Sequence, residues 1–372
     1  KQAVIEKEGI ILEGLTVKNS TGDTELKAGE DYSAAFDSTT GFLTITMLAG
    51  GKGAAATAIK VSGKVIDPSK VTKEDVIGAV DPSTGAETGA QVIRQVYPRL
   101  GIVPGLILAP GWSQIPEVGL ALAAKAAKIN GVYSAMALLD LDTAKAKKYT
   151  DTKSVKEESG YTSPFCYPLW PCDRVGEYIL AKSAVAGAMI QYMASDNEDV
   201  PNQSPSNHLL GVGGQCLEDG TEVYLDQDQA NTVNGYGVTT AINQNGYRLW
   251  GNYTGAYPAS SDAKDIWFAV RRMFSWQGNN FIQTYFDEVD DPMNNVLVQS
   301  VVDSENIRCS AYAPKYWAGA SIEYKSDDNP KTAILAGTMK FRQHIAPYTP
   351  AQEIVDIIDY DTDTLAAAVG GN

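Results

Sequence analysis

The residues that could support acid–base or nucleophilic chemistry are few, because the chain holds only two histidines, His208 and His344. A Ser–His–Asp mechanism needs one of them as its base. Asp140 ends a strand-like run upstream of His208, so a hydrolase triad in the order Asp, His, Ser is conceivable. The chain has no GxSxG sequence, and no serine stands at a glycine-flanked start of a long helix. The sequence therefore predicts no catalytic residue and no enzyme, with a cytosolic hydrolase using the α/β domain as the alternative.

Metal and phosphate chemistry find equally little support. Asp140 and Asp142 stand two apart at a strand end, and acidic residues recur at 196–199 and 226–229, but none follows the calcium-loop spacing. The glycines of GVGGQ, 211–215, lack the following Lys-Ser/Thr and helix of a phosphate loop, which favours a simple turn. We expect no metal site and no cofactor.

Composition narrows the classes of partner. The net charge is −15, from 45 acidic and 30 basic residues, and such a surface repels nucleic acid and anionic lipid. No apolar run is long and uncharged enough to span a membrane, so we expect neither nucleic-acid binding nor a membrane-spanning segment. The cysteine spacing fits no zinc or redox motif and predicts reduced, mostly buried thiols: Cys166, Cys172, Cys216 and Cys309.

Hydrophobic patterning divides the 372 residues into three expected domains. Residues 1–70 alternate short apolar runs with turn residues, which predicts a β-sandwich or barrel. Residues 71–258 alternate buried strands with helices, including one expected over 175–195, and predict an α/β domain with a mainly parallel sheet. Residues 259–372 predict an α+β domain with a terminal strand. Since the chain begins at Lys1 within a strand-like run, we also expect it to lack its natural N-terminus.

An aromatic group lies on the first helix of the third domain. Its four rings could stack nucleobases, but the surroundings are acidic, so a core or subunit contact is favoured: Trp267, Phe268, Phe274 and Trp276.

Five segments, in one order from about residue 76 to 360, resemble the tail sheath proteins of contractile-tailed bacteriophages and related injection machines. Each segment alone is weak evidence, whereas the ordered set is specific. They are IGAVDPSTGAETGAQVIRQVYPRLGIVPGLILAPGW, AKSAVAGAMIQYMASDNEDVPNQSPSNHLLGV, ANTVNGYGVTTAINQNGYRLWGNYTG, DAKDIWFAVRRMF and GTMKFRQHIAPYTPAQEIVDII.

The resemblance implies a subtilisin-like central domain without protease function, preceded by a variable β-rich insertion. It implies a structural subunit that polymerises helically around an inner tube and contracts by repacking, driving the tube through the host envelope. The implied partners are copies of itself, the inner tail tube protein, and baseplate and tail terminator proteins. The implied location is the virion tail, with the bacterial host cytoplasm during assembly. The family's N-terminal arm and the segment upstream of the insertion are not found here.

The corner between the second and third domains is a candidate interdomain joint. Trp250 can bury a large ring, Gly251 permits close backbone approach, and Asn252 and Thr254 can satisfy turn amides.

Two further groups of residues are candidates for assembly contacts through the resemblance. Arg271 and Arg272 lie on a helix that faces the inner tube in the family; a solvated face or an intrasubunit ion pair is the alternative. The segment 353–361 resembles the terminal donor strand that sheath subunits exchange, with apolar residues Ile354, Val355, Ile357 and Ile358. Its alternative is a strand that pairs within its own subunit.

A third reading, an adhesion or carbohydrate-binding protein, rests on residues 1–67 alone. It does not account for the five ordered segments.

Overall fold

The computed structural model describes residues 1–370, which fall into two compact units, Lys1–Thr72 and a second unit that begins at Lys73. The three expected domains, with boundaries at 70 and 258, stay a prediction.

The first unit consists of two antiparallel three-stranded sheets, in the orders β1-β5-β4 and β3-β2-β6. Both sheets contribute side chains to one small core: Val17, Leu26, Tyr32, Leu43 and Ile45. The strands are β1 (Gln2–Ile5), β2 (Ile10–Asn19), β3 (Glu25–Leu26), β4 (Tyr32–Phe36), β5 (Leu43–Met47) and β6 (Ile59–Val65).

The second unit begins as a mixed α/β segment. Its elements to residue 250 are α1 (Lys73–Ile77), α2 (Val96–Leu100), β7 (Leu106–Leu108), α3 (Pro116–Ala127), β8 (Met136–Asp140), α4 (Thr152–Ser159), β9 (Cys166–Leu169), β10 (Cys172–Val175), β11 (Tyr178–Leu180), α5 (Lys182–Ser195), β12 (Gly214–Cys216), α6 (Gln227–Gly235), β13 (Thr240–Asn243) and β14 (Tyr247–Trp250).

The remaining elements follow from residue 263. They are α7 (Ala263–Ile266), α8 (Phe268–Thr284), α9 (Asn295–Ala311), β15 (Trp317–Glu323), α10 (Lys331–Leu335), β16 (Arg342–Pro347) and α11 (Thr362–Ala368).

Strands β7, β8 and β9 form a parallel sheet that is covered on both faces. Every residue of β8 is buried, and alternate side chains point to opposite faces. Ala137 and Leu139 pack in the cluster that contains the apolar residues of α3, and Met136 and Leu138 pack in the cluster that contains those of α5. The continuous apolar runs around 104–110 and 131–141 thus follow from burial on two faces, and both strand predictions are confirmed.

The helix predicted over 175–195 is wrong at its start. Residues Tyr178–Leu180 form strand β11, which pairs with β10, and the helix begins only at Lys182. Gly176 adopts a φ of 59° in the hairpin between these strands, a conformation that glycine reaches without steric cost.

The last elements pack two helices on a hairpin sheet. Strands β15 and β16 pair antiparallel, and their inner face meets α8 and α9 through Met273, Cys309, Trp317 and Ile322. In residues 1–370, no helix combines the length and the apolar character that a bilayer crossing needs.

Candidate assembly site

The carboxylate at the end of β8 is occupied by structural hydrogen bonds. Asp140 accepts from the Ser183 N–H (2.8 Å) and hydroxyl (2.5 Å) at the start of α5, and from the Ser113 hydroxyl (3.0 Å). Burial raises the pKa of Asp140, while the bonds from Ser183 and Ser113 oppose that shift. Because a carboxylate near a helix N-terminus is stabilised by the unpaired N–H groups there, Asp140 anchors α5 to the sheet.

The two histidines lie away from this anchor. His208 is exposed, and its pKa is lowered by partial burial and by the nearby charge of Arg248. His344 is exposed on β16, with Nε2 2.9 Å from Glu323 Oε1. Among the described residues, moreover, no group of three or more His, Cys, Asp or Glu side chains is placed to hold a metal ion. The sequence-derived triad of Asp140 and His208 is not assembled.

The corner after β14 connects that strand to α7 and α8 through the backbone. The Phe268 N–H donates to the Asn252 carbonyl over 2.8 Å, and the Thr254 N–H donates to the Ile266 carbonyl over 2.8 Å. Asn252 and Thr254 are both buried, and the Asn252 side chain accepts a hydrogen bond from Ser204. These bonds satisfy backbone groups that would otherwise be costly to bury.

Gly251 stands against the chain at Thr239. A β-carbon at this position would overlap Thr239 Oγ1 and lie 2.9 Å from Thr239 Cα, closer than real side chains come to backbone. The Tyr167 hydroxyl donates to the Gly251 carbonyl over 2.8 Å, which fixes the same backbone from the sheet side. Only glycine allows this approach.

Trp250 is half-buried, and its indole N–H donates to Asn231 Oδ1 of α6 over 2.9 Å. Full ring burial at this corner is instead provided by Phe268, which stacks on Tyr167 with centroids 4.0 Å apart. Trp250 therefore contributes a polar link and a partly open aromatic surface. Its role as an interdomain joint stays a prediction.

A stack of three aromatic rings continues from the corner. Tyr253 lies between Tyr257 (3.8 Å between centroids) and Trp267 (4.8 Å). Behind the stack, the buried Lys156 ammonium donates to the carbonyls of Tyr257 (2.5 Å) and Tyr236 (2.9 Å). Burial lowers the pKa of Lys156 to about 8.

A cleft of about 1150 Å³ opens beside the corner and brings two sequence-predicted groups together. The joint residues Trp250 and Asn252 line one part of it, and residues 350–354 of the C-terminal segment line another. The Gln352 side chain also lies near the Tyr253 hydroxyl, where it opposes the rise in the Tyr253 pKa that burial causes. The segment predicted as a donor strand therefore leaves the fold at the predicted joint.

The C-terminal arm, defined here as residues 350–361, is neither helix nor strand, so the terminal strand predicted over 353–361 is not formed within the chain. Its apolar side chains are open to solvent, with exposures of 89 %, 69 %, 80 % and 86 % for Ile354, Val355, Ile357 and Ile358. Backbone pairing inside the subunit, the alternative left open by the sequence, is not observed in residues 1–370.

The hairpin sheet β15–β16 has one edge partly closed and one open. The Asn306 side chain donates to the Ile322 carbonyl and accepts from the Ile322 N–H, both at 3.0 Å, so these β15 groups point away from β16. In an antiparallel pair, a residue whose N–H and C=O point away from the partner strand faces a residue whose groups also point outward. Gln343 lies opposite Ile322 and Ile345 lies opposite Ala320. The N–H and C=O of Gln343 and Ile345 therefore point to the outer edge of β16. In the described part of the chain no third strand joins this sheet.

A buried polar network supports β16, the strand at the open edge of the sheet. Glu305 on α9 is fully buried and accepts hydrogen bonds from Arg308 (2.6 Å), Gln277 (2.6 Å) and Gln343 (3.3 Å). Burial by itself raises the pKa of Glu305, but the bonds and charge of Arg308 more than offset it and lower that pKa. The network links α8, α9 and β16, so the edge is presented on a rigid support.

The two predicted tube-facing arginines differ. Arg271 has a partner in its own chain, with a nitrogen 3.1 Å from Asp265 Oδ1 and its guanidinium 4.2 Å from the centre of the Phe165 ring. Arg272 lies over the Phe268 ring at 5.6 Å, and burial lowers its pKa to about 10. Within residues 1–370 no carboxylate lies within 4.0 Å of Arg272. The intrachain alternative is thus realised for Arg271 only, and tube contact stays a prediction for both.

The aromatic residues of α7 and α8 are used internally. Phe268 is fully buried, and Trp276 packs edge-on against Tyr312 and Trp317 in the core beneath β15. Of the predicted core or subunit contact, the core contact is observed for these two rings. Sequence reasoning missed the Asn306 bridge and the Lys156 link, because each joins residues far apart in the chain and neither belongs to a local pattern.

An anchored fold with an open sheet edge and an exposed apolar arm is typical of subunits that assemble by sharing strands. No family model matches the chain. It is 27 % identical over 375 residues to the tail sheath protein of Burkholderia phage BcepMu, a match that covers 96 % of this chain and 76 % of that protein. It is 24 % identical over 294 residues to the tail sheath protein of Escherichia phage P2, covering 76 % and 69 % of the two chains.

Solved structures show the same fold. The sheath complex of an extracellular contractile injection system (PVC), in its contracted state, aligns with a TM-score of 0.58 at 17 % identity, over 74 % of this chain and 76 % of that one. The contracted helical sheath of the anti-feeding prophage aligns with a TM-score of 0.56 at 18 % identity, over 77 % and 76 %. The chain is thus similar in sequence and in fold to contractile tail sheath proteins, and the resemblance found in the sequence is confirmed. The hydrolase alternative finds no support.

Proposed function

We propose that this chain is the structural subunit of a contractile sheath, which polymerises helically around an inner tube and contracts by repacking of its subunits. Contraction would drive the tube through a host envelope, without catalysis. The proposed partners are copies of itself, a tail tube protein, and baseplate and tail terminator proteins, in a virion or phage-like particle tail that is assembled in the host cytoplasm.

The observation that carries the proposal is the unpaired C-terminal arm. Four aliphatic side chains that are each at least 69 % exposed would be costly to leave in water, at about 1.5–3 kcal/mol per side chain. Burial against another subunit recovers that free energy. A head-to-tail contact whose rotation does not close into a ring builds a helix of subunits.

The acceptor we propose is the outer edge of β16 in a neighbouring subunit. Gln343 and Ile345 direct backbone groups to that edge, and Glu305 holds the strand from behind. Main-chain hydrogen bonds supply the attraction in such strand addition, and side-chain pockets supply register. The Asn306 bridge on the β15 edge favours β16 as the receiving side.

A docked arm would stay paired during contraction because the start of the arm, its root, lies against its own subunit, whereas the following residues pair with the neighbour. Residues 350–354 line the cleft beside Trp250 and Tyr253, whereas Val355, Ile357 and Ile358 follow outside its lining. The subunit body can then rotate about the root while the shared strand stays paired. We infer that a subtilisin-like central domain (71–258) and a C-terminal domain (259–372) form this body.

Polymerisation of arm variants tests the proposal. The double variant Ile354→Asp/Ile357→Asp should abolish helical polymers, seen by electron microscopy after co-expression with the cognate tube protein. The monomer should melt at the wild-type temperature, because these side chains have no intrachain burial to lose. Ile66→Asp, which also places a charge at an exposed apolar residue but in the first unit, is the matched control and should polymerise.

Normal polymers from the arm variant would show that the arm is not the donor. Failure of the Ile66 control as well would show that added charge, and not arm docking, prevents assembly.

A further inference from the structure

Two of the four cysteines stand opposite each other on adjacent strands. Cys172 of β10 and Cys216 of β12 are direct partners in the antiparallel register, followed by Asp173 with Gln215. Direct partners in an antiparallel pair project their side chains on the same face. The sequence gives no sign of this, because 43 residues separate the two positions.

The backbone pattern defines the spacing of the pair. The Leu217 N–H donates to the Thr221 carbonyl (2.8 Å) and the Val223 N–H donates to the Gln215 carbonyl (2.9 Å), so these groups point away from β10. The N–H and C=O of Cys216 therefore point towards β10, which makes the cysteines a hydrogen-bonded pair with Cα atoms about 5.5 Å apart. Disulfides span Cα distances of about 4.4–6.8 Å.

We propose that Cys172 and Cys216 form a reversible disulfide that staples β10 to β12 under oxidising conditions. With a peroxide as oxidant, one thiol sulfur attacks the peroxide oxygen and the O–O bond breaks, giving a sulfenic acid and one water. The second thiol then attacks the sulfenic sulfur, the S–S bond forms, and a second water leaves. Two thiols lose two electrons and two protons in total, and the peroxide is reduced to two waters.

The environment of the pair fixes the order and the speed of these steps. Cys172 is half-buried and Cys216 is fully buried, so the oxidant reaches Cys172 first. Burial raises the pKa of Cys172 to about 12 and also raises that of Cys216, so thiolate is scarce near neutral pH and oxidation is slow.

Strain makes the bond easy to reverse. The β-carbons of a hydrogen-bonded pair stand up to about 5.5 Å apart, whereas a disulfide brings them to about 3.8 Å. The strands must therefore move together, and strained disulfides are reduced more readily than relaxed ones. The setting in which such a staple acts rests on the proposed function, since a particle released from a reducing cytosol meets oxidising surroundings. Bond formation itself is independent of that function.

Peptide mass mapping of the purified chain tests the inference. After prolonged treatment with hydrogen peroxide and alkylation of free thiols, a cross-linked peptide pair containing Cys172 and Cys216 should appear, lighter than the two free peptides by two hydrogen masses. Brief exposure to dithiothreitol on the folded chain should remove it. The Cys172→Ser variant should lose the cross-link, and Cys166→Ser should keep it.

Cys172→Ser replaces a half-buried side chain, and circular dichroism checks that it folds. Recovery of Cys172 as an uncross-linked sulfinic acid, or cross-linked to Cys166 or Cys309, would overturn the inference. The assay uses the isolated chain, so its result does not depend on whether the chain polymerises.

Discussion

The close approach of Gly251 to Thr239 makes Gly251→Ala the sharpest test of the corner. A methyl group there would overlap Thr239 Oγ1 and lie 2.9 Å from both Thr239 Cα and Cβ, so a strand residue, and not a flexible side-chain end, must move. Overpacking of this kind costs about 1–3 kcal/mol. The φ of 155° at Gly251 lies in a region that residues with a β-carbon rarely adopt, which adds about 1 kcal/mol of strain.

The sum is about 2–4 kcal/mol of lost stability. For a folded unit of this size, each kcal/mol moves the midpoint of thermal unfolding by about 2 °C, which predicts a fall of about 4–8 °C. Differential scanning calorimetry of the purified monomer measures it. This loss involves no assembly contact, so the shift should be seen in the absence of tube protein.

Gly278→Ala is the matched control. Gly278 is exposed within α8, and its added methyl would meet open space. Alanine in a helix interior is more stable than glycine by about 0.5–1 kcal/mol, so this variant should melt at or slightly above the wild-type temperature. A Gly251→Ala variant that melts within a degree of wild type, with Gly278→Ala behaving as stated, would refute the argument that the corner depends on backbone contact at Thr239.

Three further predictions use the same monomer and assembly assays. Trp250→Ala should lower the free energy of unfolding by only about 1–2 kcal/mol, because it removes one hydrogen bond to Asn231 and the burial of half a ring. Trp250→Phe should restore the buried area but not the hydrogen bond. Calorimetry measures both variants. Arg272→Glu should block assembly with an acidic tube while the monomer stays folded, and normal tubes in electron micrographs would remove Arg272 from the interface. Burial lowers the pKa of Lys156 to about 8 in the folded chain, so between pH 8 and pH 10 the unfolded chain binds more protons than the folded chain. The free energy of unfolding of wild type, relative to that of Lys156→Met, should therefore rise over this range by up to about 3 kcal/mol. Urea unfolding of both variants measures this difference.

The sequence predicts the elements that are buried on both sides and those that carry their own end signals. The run 131–141 is mostly apolar, and its buried part Met136–Asp140 forms the central strand β8. Pro116 stands at the first turn of α3 and Gly131 follows shortly after its end, so the sequence indicates both where this helix starts and where it ends. Local chemistry fixes these elements, and no distant contact is needed to infer them.

The predictions fail where the deciding partner is far away in sequence or absent from the chain. The helix expected from residue 175 starts at Lys182, because Val175 pairs with Tyr178 in a hairpin whose other neighbour, β12, is some forty residues away. The segment 353–361 carries apolar residues in pairs between acids, a pattern that places aliphatic side chains on both faces of a strand. Such a strand requires cover on two sides, and no described residue of its own chain provides it.

The acidic residues between those apolar pairs oppose pairing between the arms of two identical chains. A free, extended, apolar segment is a template for unwanted pairing between identical chains. In this arm Glu353, Asp356, Asp359 and Asp361 interrupt the apolar residues, so two arms that met side by side would bring like charges together. Strand β16 contains no acidic residue, and its Arg342 and His344 pair with Asp328 and Glu323 of the same chain. Like charges thus act against pairing of two arms, whereas the proposed acceptor strand β16 has no acidic residue to repel the arm, and such a difference is the discrimination that ordered growth would require.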